Sequence, residues 1–196
     1  MLSGVTIITH GFNSGTDGWV DAMADAIAAR ANGTVAQYTL TETETTSTVT
    51  RDTPAVSIDN ATSGEAIIKV NWASVDGGVP VPPLELTITT DVIGNRIADF
   101  LLANPHLSEL PIHLIGHSRG ASVNAVVAKR LGEAGIWVDQ QTTLDPHPVD
   151  QLWPLPDDAP VNVYTNVIFA DNYYEDSYIY QGTFVHGYPV AGTYET

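Results

Sequence analysis

"PIHLIGHSRGASVNAVVAKRLG" occupies residues 111–132 and divides into three parts with different periodicities. "PIHLIGH" (111–117) is a short apolar run closing on Gly116-His117 and reads as a buried strand. Val123, Val127 and Leu131 keep helical spacing, with Lys129 and Arg130 in the last turn and Gly132 beyond it, which together mark a helix and its end. Between strand and helix, Gly116-His117-Ser118-Arg119-Gly120 fits the pattern G-x-S-x-G. Chemistry that needs an exposed serine hydroxyl uses a strand, a sharp turn holding the serine in a strained conformation, then a helix, with small neighbours that let the chains approach. The strand over 111–116, the helix over 121–131 and the small pair Ala121-Ser122 supply that frame. Ser118 is therefore read as a nucleophile rather than as part of an ordinary strand–helix turn.

Outward from this segment the same alternation recurs. "VTIITH" (5–10) is a second buried-strand candidate, and Val20, Met23, Ala24, Ile27 and Ala31 after it predict a helix stopped by Asn32-Gly33. Asp91 reads as the cap of a helix whose Val92/Ile93, Ile97 and Leu101 share a face, ended at Asn104-Pro105. Further strands are expected at "VAQYTL" (35–40), "AIIKVNWA" (66–73), "WVDQQTTL" (137–144) and "VNVYTNVIFA" (161–170). Strands alternating with helices predict an α/β protein: a mostly parallel central sheet with helices on both faces, formed by one domain over 1–196. Two stretches interrupt the pattern. The threonine-rich "TETETTSTVTRDT" (41–53) reads as a hairpin or exposed loop, and the proline-rich "VDGGVPVPPLEL" (75–86) as a connector or a short lid.

Twenty-three acidic residues against seven basic ones give a formal net charge of −16. Such a surface repels phosphate backbones, so no nucleic-acid partner is expected. The absence of cysteine excludes disulfides, thiol catalysis and thiolate metal sites. There is no apolar run of about 18 residues, so no membrane span is expected. Nor does the start resemble a secretory leader, which leaves either a cytoplasmic protein or a secreted, mature domain cut from a longer product. The sequence leaves oligomeric state open.

"THGFNSG" (9–15) at the end of the first strand bears on the same chemistry. Acyl transfer builds negative charge on the substrate oxygen, and two backbone N–H groups must already point at it. Arg119, after the serine, offers one; Phe12, in the early strand–helix loop, is the candidate for the other. A His-Gly pair at a strand end is by itself also a plain turn; its occurrence together with the Ser118 turn favours the oxyanion reading.

With "HGFNSG", "GHSRGA" and "LDPHP" in hand, the chain resembles the α/β-hydrolase superfamily, in particular its lipase and esterase branches. The resemblance implies a Ser-His-Asp/Glu triad in the chain order serine, acid, histidine, and ester hydrolysis without an organic cofactor. On that order Asp145 in "TTLDPHP" is the first candidate acid, since Leu-Asp-Pro looks like the acid loop of the pancreatic-type lipases. Asp171 in "FADNYYED", at the end of the next strand, is the alternative. His186 is the only histidine after both, and it stands ten residues before Thr196. The resemblance therefore also admits a shortened domain whose histidine lies outside this chain, with His147 or His10 as remaining choices.

His10 and His117 sit in motif loops, where imidazoles commonly bond loop backbone. His106 is expected in a loop and His113 in a buried strand. His147, Asp145 and Asp150 match no strong metal signature, so no metal and no cofactor are expected. The reading is a serine hydrolase of carboxylic esters, either of lipids or of short acyl groups, working through an acyl-enzyme intermediate. Its acyl wall would come from apolar residues around 79–86 and from Tyr173, Tyr174 and Tyr178. The rival reading is a non-catalytic binding module on the same scaffold with an incomplete triad.

Overall fold

The computed structural model describes residues 2–31, 35–53, 64–76, 89–149, 157–175 and 187–195. In chain order these form β1 (Leu2–Thr9), α1 (Trp19–Arg30), β2 (Ala36–Glu42), β3 (Ser47–Thr53), β4 (Gly64–Asn71), α2 (Thr90–Leu102), α3 (Pro105–Ser108), β5 (Ile112–His117), α4 (Arg119–Glu133), β6 (Val138–Leu144), β7 (Val167–Tyr173) and β8 (Tyr194–Glu195). The strands make one eight-stranded sheet in the order β3-β2-β4-β1-β5-β6-β7-β8. Every neighbouring pair is parallel except β2 and β3. The fold is α/β, as the alternating pattern predicts.

The sheet is covered on both faces because its central strands are apolar on both. On one face Val5, Ile7, Ile68 and Leu114 meet Ile93, Ile97 and Leu101 of α2 and Val123, Val127 and Leu131 of α4, all fully buried. On the other, Ile8, Ile67 and Ile115 pack against Val20 and Ala24 of α1. Each such aliphatic side chain stabilises the fold by about 1.5–3 kcal/mol. Because α1 lies on one face while α2 and α4 lie on the other, the chain leaves β1 in one direction and β5 in the opposite one. The carboxyl ends of β1 and β5 thus flank a topological switch point, where open parallel sheets form a crevice.

The structure takes one of two options at one stretch and departs from the sequence reading at several boundaries. The 41–53 stretch is a hairpin, β2 to β3, its turn closed by the Thr43 and Thr46 hydroxyls 2.7 Å apart. Thr89 rather than Asp91 occupies the N-cap position of α2, without a side-chain capping bond, and Asp91 sits in the first turn, where a negative charge meets the helix N-terminus. Pro105–Ser108, expected as loop around His106, is the short helix α3, since proline suits a first helical position. A short strand, β8, extends the sheet edge where no strand was expected. Finally, the strand expected over 161–170 begins at Val167 and runs on to Tyr173. The preceding Asn166 donates from its amide to the carbonyls of Ala128 and Ile136, holding a turn where a longer strand would run.

Candidate functional site

Ser118 sits between β5 and α4 with φ 53° and ψ −124°, a conformation that costs a non-glycine residue about 1–3 kcal/mol. The surroundings hold it there. Its N–H donates to the Leu144 carbonyl at 3.0 Å, and its own carbonyl accepts from the Ala121 amide at 3.0 Å. A Cβ on Gly120 would strike the carbonyls of Thr9 and His10, so only glycine lets α4 start against the end of β1. A Cβ on Gly11 would lie 2.7 Å from Ser118 Cβ and 3.1 Å from its Oγ. The loop after β1 therefore lies directly against the serine. The Thr9 hydroxyl adds a buried bond to Asn124 of α4 at 2.9 Å.

Phe12 follows Gly11 in that loop, its side chain 43% exposed. Arg119 is the first residue of α4, so its N–H has no acceptor within the helix. The Arg119 side chain, however, is almost wholly buried. Its Nε and Nη2 each donate to Asp158 at 2.6 Å, its Nη1 donates to the Asp76 carbonyl at 2.6 Å, and its guanidinium lies 5.1 Å from the Trp72 ring. The sequence reading missed this pair, because nothing in the pattern connects position 119 with position 158.

The two candidate acids occupy different environments. Asp145 follows β6 at the carboxyl edge of the sheet, with φ 47°, and its N–H donates to the Tyr173 carbonyl at 2.6 Å. Its Oδ1 accepts from the amides of Gly187 at 2.8 Å and Glu175 at 3.2 Å. A Cβ on Gly187 would collide with that carboxylate, so the approach requires glycine. Asp171 was expected at a strand end and instead lies inside β7, paired with Thr142 of β6. Its Oδ1 accepts from the Thr142 hydroxyl at 2.7 Å and the Gln140 amide at 3.4 Å. The strand continues past Asp171 to Tyr173, which leaves this carboxylate two rungs below the edge that Ser118 occupies.

Among the histidines, His10 has both ring nitrogens engaged. Nε2 accepts from the Trp72 backbone amide at 3.3 Å, so Nδ1 carries the proton and donates to the Gly11 carbonyl at 2.8 Å. Burial pushes its pKa below the usual range, partly opposed by that backbone bond and by Asp76. In His113, Nε2 donates to the Thr142 hydroxyl at 2.8 Å, since that hydroxyl gives its own proton to Asp171. Burial also lowers the pKa of His113 and of His117, with Asp171 and Asp145 respectively pulling the other way. His117 Nδ1 is buried with no hydrogen-bond partner among the described residues, and its ring meets Trp19 edge-on at 5.5 Å. The loop-backbone bond expected of motif-loop histidines is thus made by His10. His147 lies with its ring 6.5 Å from that of Tyr188. His186, Tyr178, Asp150 and residues 77–86 of the proposed lid or wall lie outside the described residues.

Leu144, Asp145, Tyr173, Tyr174 and Glu175 line an open depression of about 450 Å³ beside the end of β6. Two of the three tyrosines expected to flank a substrate are therefore at its rim. Among the described residues no three histidine or carboxylate side chains converge as a metal site. No described helix is long and apolar enough to cross a membrane.

No protein-family model and no curated protein matches the chain. Solved structures that match include a candidate cell surface hydrolase from Lactobacillus plantarum WCFS1, at 13% identity and a TM-score of 0.47 over 73% of this chain and 53% of that one. The lin2722 gene product of Listeria innocua matches at 15% identity and a TM-score of 0.47 over 74% of this chain and 51% of that one. The chain spans about half the length of these solved structures.

Proposed function

We propose that the protein is a serine hydrolase that cleaves carboxylic esters, of lipids or of short acyl groups, through an acyl-enzyme intermediate. The observation that carries this reading is Ser118 itself. It is a strained residue between a central strand and a helix, at the switch point of a parallel sheet, with the backbone of the 9–15 loop packed against its hydroxyl. A chain has no structural reason to hold a serine at that energetic cost, whereas a nucleophile needs an exposed, fixed hydroxyl.

In the proposed mechanism Ser118 Oγ attacks the ester carbonyl while a histidine takes its proton. The amides of Arg119 and Phe12 hold the developing oxyanion. The histidine then protonates the leaving alcohol, and water repeats the sequence to release the acid. Asp145 is the acid of this reading. It stands at the carboxyl edge, at the end of the strand beside β5, whereas Asp171 is occupied within the sheet by Thr142 and Gln140. His186 is the proposed base. It is covalently joined to Gly187, whose amide bonds the Asp145 carboxylate. His10 is unsuited to the role, because both of its ring nitrogens already serve loop backbone.

The test is turnover of p-nitrophenyl acetate, butyrate and octanoate together with covalent labelling by a fluorophosphonate. Both signals are expected in the wild type, with the label on Ser118 by peptide mapping. A folded protein that neither turns over any of these esters nor takes the label would overturn the assignment and favour a binding module.

A further inference from the structure

Besides its backbone amide, Arg119 brings to the site a side chain for which the mechanism above has no use. We propose that the Arg119 guanidinium and Asp158 form a positioning device that fixes the nucleophile turn, the 10–14 loop and the 145–149 segment relative to one another. The proposal rests on the reading of Ser118 as nucleophile and assigns a role to the buried charge beside it.

The guanidinium's contacts lead to two further parts of the site, through Asp158 on one side and through Asp76 and Trp72 on the other. Its fork grips both oxygens of Asp158, a bidentate geometry that sets angle as well as distance. Asp158 in turn accepts the Val149 amide at 2.8 Å, and its own amide donates to the Val149 carbonyl at 2.8 Å. That fixes the segment four residues beyond Asp145. Arg119 Nη1 holds the Asp76 carbonyl, while Asp76 Oδ2 accepts the Ser14 amide at 3.2 Å and lies 3.9 Å from His10 Nδ1. The guanidinium also sits by the Trp72 ring, whose Nε1 donates to the His10 carbonyl at 2.9 Å and whose ring stacks on His10. The nucleophile turn, the 10–14 loop and the 145–149 segment are thus linked through one charged side chain and its immediate partners.

Stability alone is a weak account of this arrangement. The cost of removing two charges from water commonly offsets their attraction, and an apolar pair of the same volume often serves as well. Hydrogen bonds supply direction, which apolar packing does not. Direction is what the Phe12 and Arg119 amides need in order to meet an oxyanion without reorganising.

The test compares the wild type with Arg119→Met/Asp158→Leu, which replaces the pair by apolar side chains, and with Asp158→Asn, which keeps the shape and removes one charge. Melting temperature, kcat and KM for p-nitrophenyl butyrate, and the fluorophosphonate labelling rate are measured on each. Cooperative unfolding is expected to persist, with KM within about threefold of wild type, while kcat and labelling rate fall together by about 10²-fold. Should the double variant fail to fold, the same split is expected of Asp158→Asn. A folded variant with kcat and labelling within about twofold of wild type would overturn the positioning role and leave Ser118 untouched. A wild type that takes no label would instead overturn the nucleophile reading, and this proposal with it.

Discussion

The two flanks of the crevice are built by different means. On the β1–β5 flank, glycines bring backbone against backbone, and the serine's conformation is enforced by Ala121 three positions on and by residues directly across the β1–β5 and β5–β6 strand pairs. On the β6–β7 flank, Asp145 is held by the amides of residues 175 and 187, thirty and forty-two positions away. The first flank is held by backbone packed across adjacent strands of the sheet, the second by loop amides that close onto a carboxylate. On the proposed reading, the nucleophile is held within the sheet and the acid's orientation depends on loop contacts.

The largest expected effects test whether the two flanks act as one unit. Ser118→Ala should abolish labelling and lower turnover by about 10⁶-fold, and His186→Ala should reduce acylation nearly as far. Ser118→Ala should unfold close to the wild-type temperature, since it removes a single hydroxyl at a half-buried position. Wild-type turnover in Ser118→Ala would place the nucleophile elsewhere. Full turnover in His186→Ala would hand the base role to His147 or to a group outside this chain.

Within the second flank, the two aspartates provide the next test. Asp145→Asn should lower kcat by about 10⁴-fold, because the acid that selects the imidazole tautomer is lost. Asp171→Asn should change kcat by less than about tenfold and cost stability instead, about 1 kcal/mol for a weakened bond from Thr142. The reverse ranking, read from kcat and urea unfolding of both variants, would move the acid into β7. Gly187→Ala follows in size. A methyl group there meets the Asp145 carboxylate, so kcat should fall by about 10²-fold through displacement of the acid while Ser118 still takes the fluorophosphonate. Unchanged kcat would mean that the Gly187 contact is incidental.

The same contrast explains what the sequence revealed. Strand, turn and helix around Ser118 were legible because periodicity, small residues and G-x-S-x-G lie within twenty-two consecutive positions. The hairpin at 41–53 was legible as one of two options, since threonine suits both strands and turns. The start of β7 was misread because "VNVYTNVIFA" is rich in β-branched and aromatic residues, and Asn166 reaching across to Ala128 and Ile136 interrupts the run. The end was misread as well, at Ala170 instead of Tyr173, which placed Asp171 at a strand end and made the two candidate acids look alike. The Arg119–Asp158 pair was invisible for a related reason. It is set by a side chain folding under Trp72, forty-seven residues upstream, a contact without local periodicity.

The smallest expected effect concerns pH. His10 and His117 lie on the first flank and His113 faces the second, and burial is the leading cause that lowers all three below the ordinary value of 6.5. An unfolded chain takes up protons on these residues as pH falls through about 6.5, while the folded chain resists until lower pH. The unfolded state therefore binds more protons in that window, and stability must fall on acidification, each histidine contributing at most about 1.4 kcal/mol per pH unit. Glu42 works in the opposite sense. Burial raises its pKa above 4.5, so the folded state gains relative stability as pH drops towards the carboxylate range, below most of the histidine window. Urea unfolding from pH 8 to pH 5.5 should show stability declining, most steeply below about pH 6.5. His113→Gln keeps a donor for Thr142 and removes one of the three titrations, so it should reduce that slope by about a third, with the two first-flank histidines supplying the rest. A slope unchanged by His113→Gln would mean that only the β1–β5 flank senses acid, and a slope abolished by it would assign the whole response to the polar ladder of β5–β7.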